Sequence, residues 1–373
     1  MSEYRVETKL TQIGNGFDEL GAVSVPIYLS TAYRHSGIGI SKGYDYTRTG
    51  NPTRSILEKA IADIEGGEEG FACSSGMSAI QLVFSLFSSG DHIIASRDLY
   101  GGTYRLFEIL ANQYHILFSY WDGESYEELS SLIKAETKAI FIETPTNPLM
   151  HEVDLSRISY IAKKSQALLI VDNTFYTPIL QKPISEGADI VVHSGTKYLA
   201  GHNDVLAGLV VSNSLKITEK LRISHNSYGP VLDPFSSWLL IRGLKTLALR
   251  MKQHEANAKQ IVSYLKEQLL VTNVIYPGKG GMVSFEISKQ SYVEPFLKGL
   301  KLITFAESLG GVESLITYPT TQTHADIPEA LRLKYGLTNT LLRLSTGIEN
   351  SEDLIQDLDQ AFQSLKKGVT IHD

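Results

Sequence analysis

A single cysteine, Cys73, stands in 373 residues. One thiol allows no intramolecular disulfide and no cysteine-built zinc site, and it fits a reducing compartment. Basic residues are the minority, 34 Lys and Arg against 41 Asp and Glu, which gives a formal net charge of -7. That balance argues against a nucleic-acid surface and against an anionic membrane as partner. No uninterrupted apolar run approaches the length of a membrane span. The opening stretch MSEYRVETKLTQIGNG lacks the apolar core of a secretory leader, and a cytoplasmic protein is expected. Neither GxxxxGK(S/T) nor GxGxxG occurs, so nucleoside-triphosphate hydrolysis and dinucleotide binding lose their usual support. Repeats and low-complexity tracts are lacking too. With 43% hydrophobic and 20% charged residues, the chain has the composition of an ordered globular protein.

What is present is a rhythm. From about Asn51 to Ser212, short apolar runs alternate with helix-period segments. The runs are HIIAS (92–96), HILFSY (115–120), KAIFIE (138–143), ALLIVD (167–172), DIVVHS (189–194) and LAGLVVS (206–212). MSAIQLVFSLF, TYRLFEILANQ, SYEELSSLI and LSRISYIAKKS separate most of them. Such alternation predicts an α/β fold with a mostly parallel sheet and helices on both faces. The last two runs are close enough for an antiparallel hairpin. Asn51 and Pro52 open a helix that Gly66-Gly67 stops. Residues 1–50, rich in Gly, Ser, Thr and Tyr, read as an arm. Residues 51–233 form the α/β domain and 234–373 a smaller α+β domain. The latter begins with one long helix-period stretch from Ser236 to Gln268 and closes with the helix SEDLIQDLDQAFQSLKK.

Ligands of open parallel sheets sit outside the carboxyl ends of the strands, and polar residues collect at those ends. LLIVDNTF finishes in Asp172, FIETPTNP in Glu143 with Asn147 in the next turn, and VVHSGTKYL in Lys197. A lone strand-end aspartate most often caps a turn, and most lysines are solvated. Here consecutive strand ends bring Asp172 and Lys197 toward one crevice, and small residues crowd the lysine. FACSSGMSAI adds a strand, a sharp turn at Ser74-Ser75-Gly76 and a helix start near Met77. Its first backbone N–H groups and the Ser75 hydroxyl suit a phosphate. An amine for an imine, an acid for a ring nitrogen and a helix start for a phosphate match the needs of pyridoxal 5′-phosphate (PLP). Cys73 follows an apolar run and reads as a packed residue. His193 and His202 lack an acidic partner at local spacing, and no metal is expected.

VVHSGTKYLAGH resembles the lysine segment of the transsulfuration branch of fold-type I PLP enzymes, the cysteine and methionine metabolism family. YDYTRTGNPT, SSGMSAI, DLYGGTYRLF, ETPTNP, VDNTF, ESLGGVESL, THADIP and LLRLSTGIE follow the same family in order, over nearly the whole chain. The resemblance implies that Lys197 carries PLP and later moves protons, and that Asp172 pairs with the ring nitrogen. It implies that Ser75, Gly76, Met77, Ser194 and Thr196 hold the phosphate and that Tyr100 stacks on the ring. By the same resemblance Tyr46 and Arg48 would reach the phosphate of a neighbouring subunit, in a dimer with shared sites or a tetramer of two such dimers. The resemblance also implies that Arg343 grips the substrate carboxylate, that Asn147 assists, and that Glu307 and Ser308 line the substrate, the Glu307 acid near its distal amine. The expected reaction is γ-replacement on an O-acylhomoserine, foremost O-acetyl, by cysteine or sulfide, with cystathionine β- or γ-cleavage as the alternative. One departure stands out. Between YPG (276–278) and GGMVSFEI the family usually carries a longer excursion, where this chain has only Lys279-Gly280.

Overall fold

The computed structural model describes residues 4–369 other than 17 and 326. Asp326 of the THADIP motif and residues 1–3 and 17 of the arm therefore lie outside the described residues. The chain divides into two compact units. The first comprises Met1–Ser96, Leu106–Ile142 and Asp154–Ala248, and the second Arg97–Arg105, Glu143–Val153 and Leu249–Asp373.

The first unit is built on a seven-stranded sheet of β1 (Glu69–Cys73), β2 (His92–Ser96), β3 (Leu117–Trp121), β4 (Thr137–Glu143), β5 (Leu168–Asp172), β6 (Ile190–Ser194) and β7 (Gly208–Ser212), in the order β1-β7-β6-β5-β4-β2-β3. β2 pairs in parallel with β3 and β4, and β5 in parallel with β6. β7 runs antiparallel to both β6 and β1, so the expected hairpin is formed. Every residue of β2 and β7 is buried, as continuous apolar runs require of interior strands. Asn51 caps the helix Pro52–Glu65 by accepting from Thr53 N–H and Arg54 N–H, and Gly66 ends it at φ 82°. The same Asn51 is fully buried and donates through Nδ2 to Tyr28 O and Thr47 Oγ1, which ties the arm to its own unit.

One expectation fails in detail. The stretch 236–268 is not one helix but two, Pro234–Leu244 and Leu247–Lys266. At the junction Thr246 donates both its N–H and its hydroxyl to Gly243 O, a local side-chain bond that competes with helix continuation. A Cβ on Gly243 would lie 2.3 Å from Ala200 O, so the break falls beside a close backbone approach. The helix Leu215–Tyr228 had no counterpart in the sequence reading.

The second unit carries a five-stranded sheet of β8 (Val271–Ile275), β9 (Met282–Ile287), β10 (Thr304–Phe305), β11 (Leu315–Thr317) and β12 (Leu341–Ser345), in the order β10-β11-β12-β9-β8. Its core gathers Phe285, Phe296, Leu342, Leu344, Leu358 and Phe362. The shortened turn between β8 and β9 is closed by Tyr276 Oη donating to Gly280 O, by Gly280 N–H on Glu255, and by the ion pair of Lys279 with Glu152. Among the described residues no helix is long and apolar enough to cross a membrane.

Burial makes a pH prediction. His225 donates from Nε2 to Ala72 O, and burial with the nearby Arg54 charge pushes its pKa down to about 4. An unfolded histidine titrates near 6.5. The unfolded chain therefore binds the extra proton first, and stability is lost as pH falls from about 6.5 toward 4. Between pH 7 and pH 5 this one group costs about 2 kcal/mol. The variant His225→Gln keeps a donor and removes the titration. Chemical denaturation at both pH values should give it a loss smaller than wild type by that amount. Equal losses in the two proteins contradict the assignment.

Candidate active site

The first unit places Lys197, Asp172 and the 74–77 turn at the ends of adjoining elements. Lys197 lies three residues past β6, in a turn fastened by Ala200 N–H on Gly195 O and Gly201 N–H on Lys197 O, and it is half-buried. Asp172 ends β5 opposite Val192 of β6. Its Oδ1 accepts from Thr174 N–H at 3.0 Å and Thr174 Oγ1 at 2.5 Å, while Oδ2 has no partner among the described residues. Burial raises its pKa, against the two Thr174 bonds and the neighbouring His193. A carboxylate left short of solvent with one oxygen unused is a receptor for a cationic N–H.

Ser75 is the N-cap of the helix Gly76–Phe84. Its hydroxyl accepts from Ser78 N–H at 3.0 Å, and Ser78 Oγ accepts from Ser75 N–H at 2.9 Å. The reciprocal box leaves the N–H groups of Gly76 and Met77 without a helical acceptor, which is how a helix start receives an anion. The missing side chain at 76 is a packing requirement. A Cβ there would lie 2.9 Å from Ser194 Cβ and 3.1 Å from Ser194 Oγ, so glycine brings the helix start against the end of β6. Gly208 does the same from beneath, where a Cβ would lie 2.0 Å from Ser75 O. Ser194 N–H donates to Thr174 Oγ1 at 2.8 Å. Thr174 thus joins the carboxylate to the anion cradle, a role that the sequence reading missed. The Thr196 hydroxyl turns elsewhere, bonding Ala207 N–H and Ala207 O. These residues fit PLP: an anion cradle at one end, a proton-hungry carboxylate at the other, and an amine on the next loop.

Arg48 and Tyr46 sit on the exposed arm, with the guanidinium carbon 5.5 Å from the Tyr46 ring centroid. Arg48 Nη1 donates to Asn226 O at 2.7 Å. His193 has an acidic partner after all, Glu65, whose Oε1 lies 2.6 Å from its Nε2 with both side chains fully buried. The helix that supplies Glu65 comes 128 positions earlier, which is why local spacing hid it. Cys73 is buried, and burial raises its thiol pKa, so it behaves as packing.

The second unit assembles Arg343, Asn147, Ser308, Glu307 and Tyr100. Arg343 is 1% exposed on β12, between Thr317 of β11 and Ser284 of β9. Its guanidinium donates to Asn147 Oδ1 at 2.7 Å, Thr317 Oγ1 at 3.1 Å and Ser308 O at 3.2 Å. Tyr100 N–H donates to Glu143 Oε2 at 3.0 Å, which anchors the start of the helix Gly101–Tyr114. Burial, then the Glu307 carboxylate, raises the pKa of the Tyr100 hydroxyl. Glu307 itself is exposed. A buried fork, an amide on the fork and an exposed acid in one unit suit an amino acid with a charged far end.

Residues 7–363 match the family model described as Cys/Met metabolism PLP-dependent enzyme. The chain is 59% identical over 370 residues to cystathionine gamma-synthase/O-acetylhomoserine (thiol)-lyase of Bacillus subtilis, covering 99% of each chain. It is 55% identical to cystathionine gamma-synthase of Haemophilus influenzae, covering 98% of this chain and 99% of that one. Among solved structures, cystathionine gamma-lyase from Lactobacillus plantarum, complexed with L-serine, superposes with a TM-score of 0.95 at 44% identity, over 97% of this chain and 100% of that one. With the family matched along nearly its whole length and the residues for the cofactor in place, this chain belongs to the PLP-dependent enzymes of cysteine and methionine metabolism.

Proposed function

We propose that the chain catalyses γ-replacement on an O-acylhomoserine. The acyl group leaves Cγ as a carboxylate, and the sulfur of cysteine takes its place to give cystathionine. Sulfide in place of cysteine gives homocysteine. The observation that carries this reading is the exposed Glu307 carboxylate, one residue before Ser308, whose carbonyl oxygen accepts from the Arg343 guanidinium. It supplies a counter-charge for the amine of a second amino acid. The γ-synthase names of the relatives at 59% and 55% identity support it, and the first of those names favours O-acetyl as the acyl group. Cleavage of cystathionine is the second reading, favoured by the lyase superposing at 0.95.

In this reading Lys197 holds PLP covalently, and Asp172 keeps its ring nitrogen protonated. Gly76, Met77, Ser75 and Ser194 hold the phosphate, and Thr196 joins them once its hydroxyl leaves Ala207; Tyr100 covers the ring face, and Tyr46 and Arg48 serve the phosphate of a partner subunit. PLP, when bound, would supply an electron sink that makes the Cα–H bond of the substrate acidic. Lys197, as a free amine, would take the Cα proton, hand it on to the cofactor and, neutral again, take a Cβ proton, both being returned to the carbon chain once sulfur is in place. Arg343 fixes the α-carboxylate in two hydrogen bonds, with Asn147 beside it and Ser308 along the chain. Glu307 receives the amine of the incoming cysteine. The oligomer is a dimer, or a tetramer of two dimers, in the cytoplasm.

A charge-assisted hydrogen bond is worth roughly 1.5–3 kcal/mol, or about 10- to 150-fold in binding. Glu307→Ala should raise the KM for cysteine within that range and leave the sulfide reaction nearly unchanged. Steady-state rates with each acceptor at saturating O-acetylhomoserine measure both. If the two reactions lose activity equally, Glu307 serves a step common to both, and its selective role is refuted.

A further inference from the structure

His324 lies at the far side of the Asn147–Arg343 contact. It is fully buried in the turn 319–325, where its own N–H donates to Pro319 O and its carbonyl oxygen accepts from Arg332. Its ring spans two partners. Nε2 lies 3.0 Å from Asn147 O, and Nδ1 lies 2.8 Å from Thr323 Oγ1. A carbonyl oxygen only accepts, so Nε2 carries the proton. Nδ1 then accepts from the Thr323 hydroxyl, and one tautomer satisfies both bonds. Burial and the Arg343 charge push the ring pKa down to about 4, against its bond to Asn147 O and the nearby Leu99 backbone. The ring is therefore neutral at neutral pH, with a single defined donor. Asn147 in turn presents Oδ1 to Arg343 at 2.7 Å. Thr323 is fixed from its other side, since a Cβ on Gly101 would lie 2.2 Å from Thr323 O.

We propose that His324 is a positioning residue for substrate carboxylate recognition, acting through Asn147 to set the plane of the Arg343 guanidinium. The inference rests on the reading that Arg343 takes the α-carboxylate. A two-bond fork demands a fixed plane, and Asn147 controls one of its two terminal nitrogens. Asn147 sits in a loop, outside the strands that hold the arginine. Only its backbone bond to His324 fastens that loop to the 319–325 turn among the hydrogen bonds given above. Ser284 Oγ still holds the loop at Pro148 O, so losing the His324 bond shifts Asn147 within that hold and tilts the fork it contacts.

The test uses the holoenzyme and two small amines, glycine and methylamine, whose binding is followed by the cofactor absorbance. Only glycine has a carboxylate. His324→Leu keeps volume but removes the donor, and His324→Gln restores a donor near the Nε2 position. His324→Leu should weaken glycine about 5- to 30-fold, the value of one buried hydrogen bond with its orphaned acceptor, and leave methylamine unchanged. His324→Gln should recover most of the loss. Should His324→Leu fail to fold, Thr323→Val removes the hydroxyl that fixes Nδ1 and should shift glycine alone, by about 2- to 5-fold. Equal effects on the two amines, or Leu and Gln behaving alike, overturn the proposal and leave a packing role. Arg343→Ala separates the two readings. If it weakens glycine selectively while the His324 and Thr323 variants do not, the positioning role alone fails. If it weakens both amines equally, the carboxylate reading fails and takes the inference with it.

Discussion

Replacing Lys197 with alanine should leave a folded protein that binds PLP, holds no borohydride-reducible link to it, and turns over at least about 10⁴-fold more slowly. The lysine has two separable duties in the proposed reaction, as the covalent anchor and as the base at Cα and Cβ. Alanine removes both, while the proposed phosphate cradle of Ser75, Gly76, Met77 and Ser194 stays intact, because its bonds run through Ser78 and Thr174. Lys197→Arg serves as the control, since a guanidinium keeps the charge but cannot lose its proton at working pH. It should be as inactive as the alanine variant. Mass spectrometry after borohydride treatment and single-turnover rates check the two duties separately. A reducible link persisting in Lys197→Ala places the anchor on another lysine.

Asp172→Asn carries the second large effect. The amide keeps the shape and can still accept from Thr174 N–H and Oγ1. What it cannot do is neutralise a protonated ring nitrogen, because it bears no charge. Breaking one side of a buried charge pair costs about 3–5 kcal/mol. On the rate this corresponds to roughly 150- to 5,000-fold. The loss should fall on kcat, with the KM for O-acetylhomoserine little changed, because the proposed carboxylate grip is that of Arg343. Turnover near wild type would mean that the ring nitrogen faces some other group.

Much of this architecture was legible in the chain. The apolar runs ending in Asp172 and Lys197 marked their strands, because buried parallel strands are apolar throughout and their first polar residue stands out. The turn at Ser74-Ser75-Gly76 and the helix start behind it were legible too, whereas the capping role of the Ser75 hydroxyl was not. Distant pairings were not. Glu65 and His193 meet across 128 positions, and Thr174 earns its place through bonds to both Asp172 and Ser194 that no spacing announces. β8 escaped because its residues are half-buried or exposed along the sheet edge, so the VTNVI run shows no clean alternation. The helix break at Lys245–Thr246 escaped because periodicity continues through it, while the Thr246 bonds that end the first helix are side-chain chemistry. His324 was visible only as part of a motif, and its work depends on where Asn147 O lies. Tyr46 and Arg48 had no local signal at all, and their place in the account comes from the family resemblance.

The most direct test of the central claim is a comparison of two rates on one preparation of the wild-type holoenzyme. Cystathionine formation from saturating O-acetylhomoserine and cysteine is measured beside cystathionine cleavage at saturating cystathionine. The proposed γ-replacement predicts that formation is the faster. Cleavage outrunning formation would contradict it and make the chain a lyase.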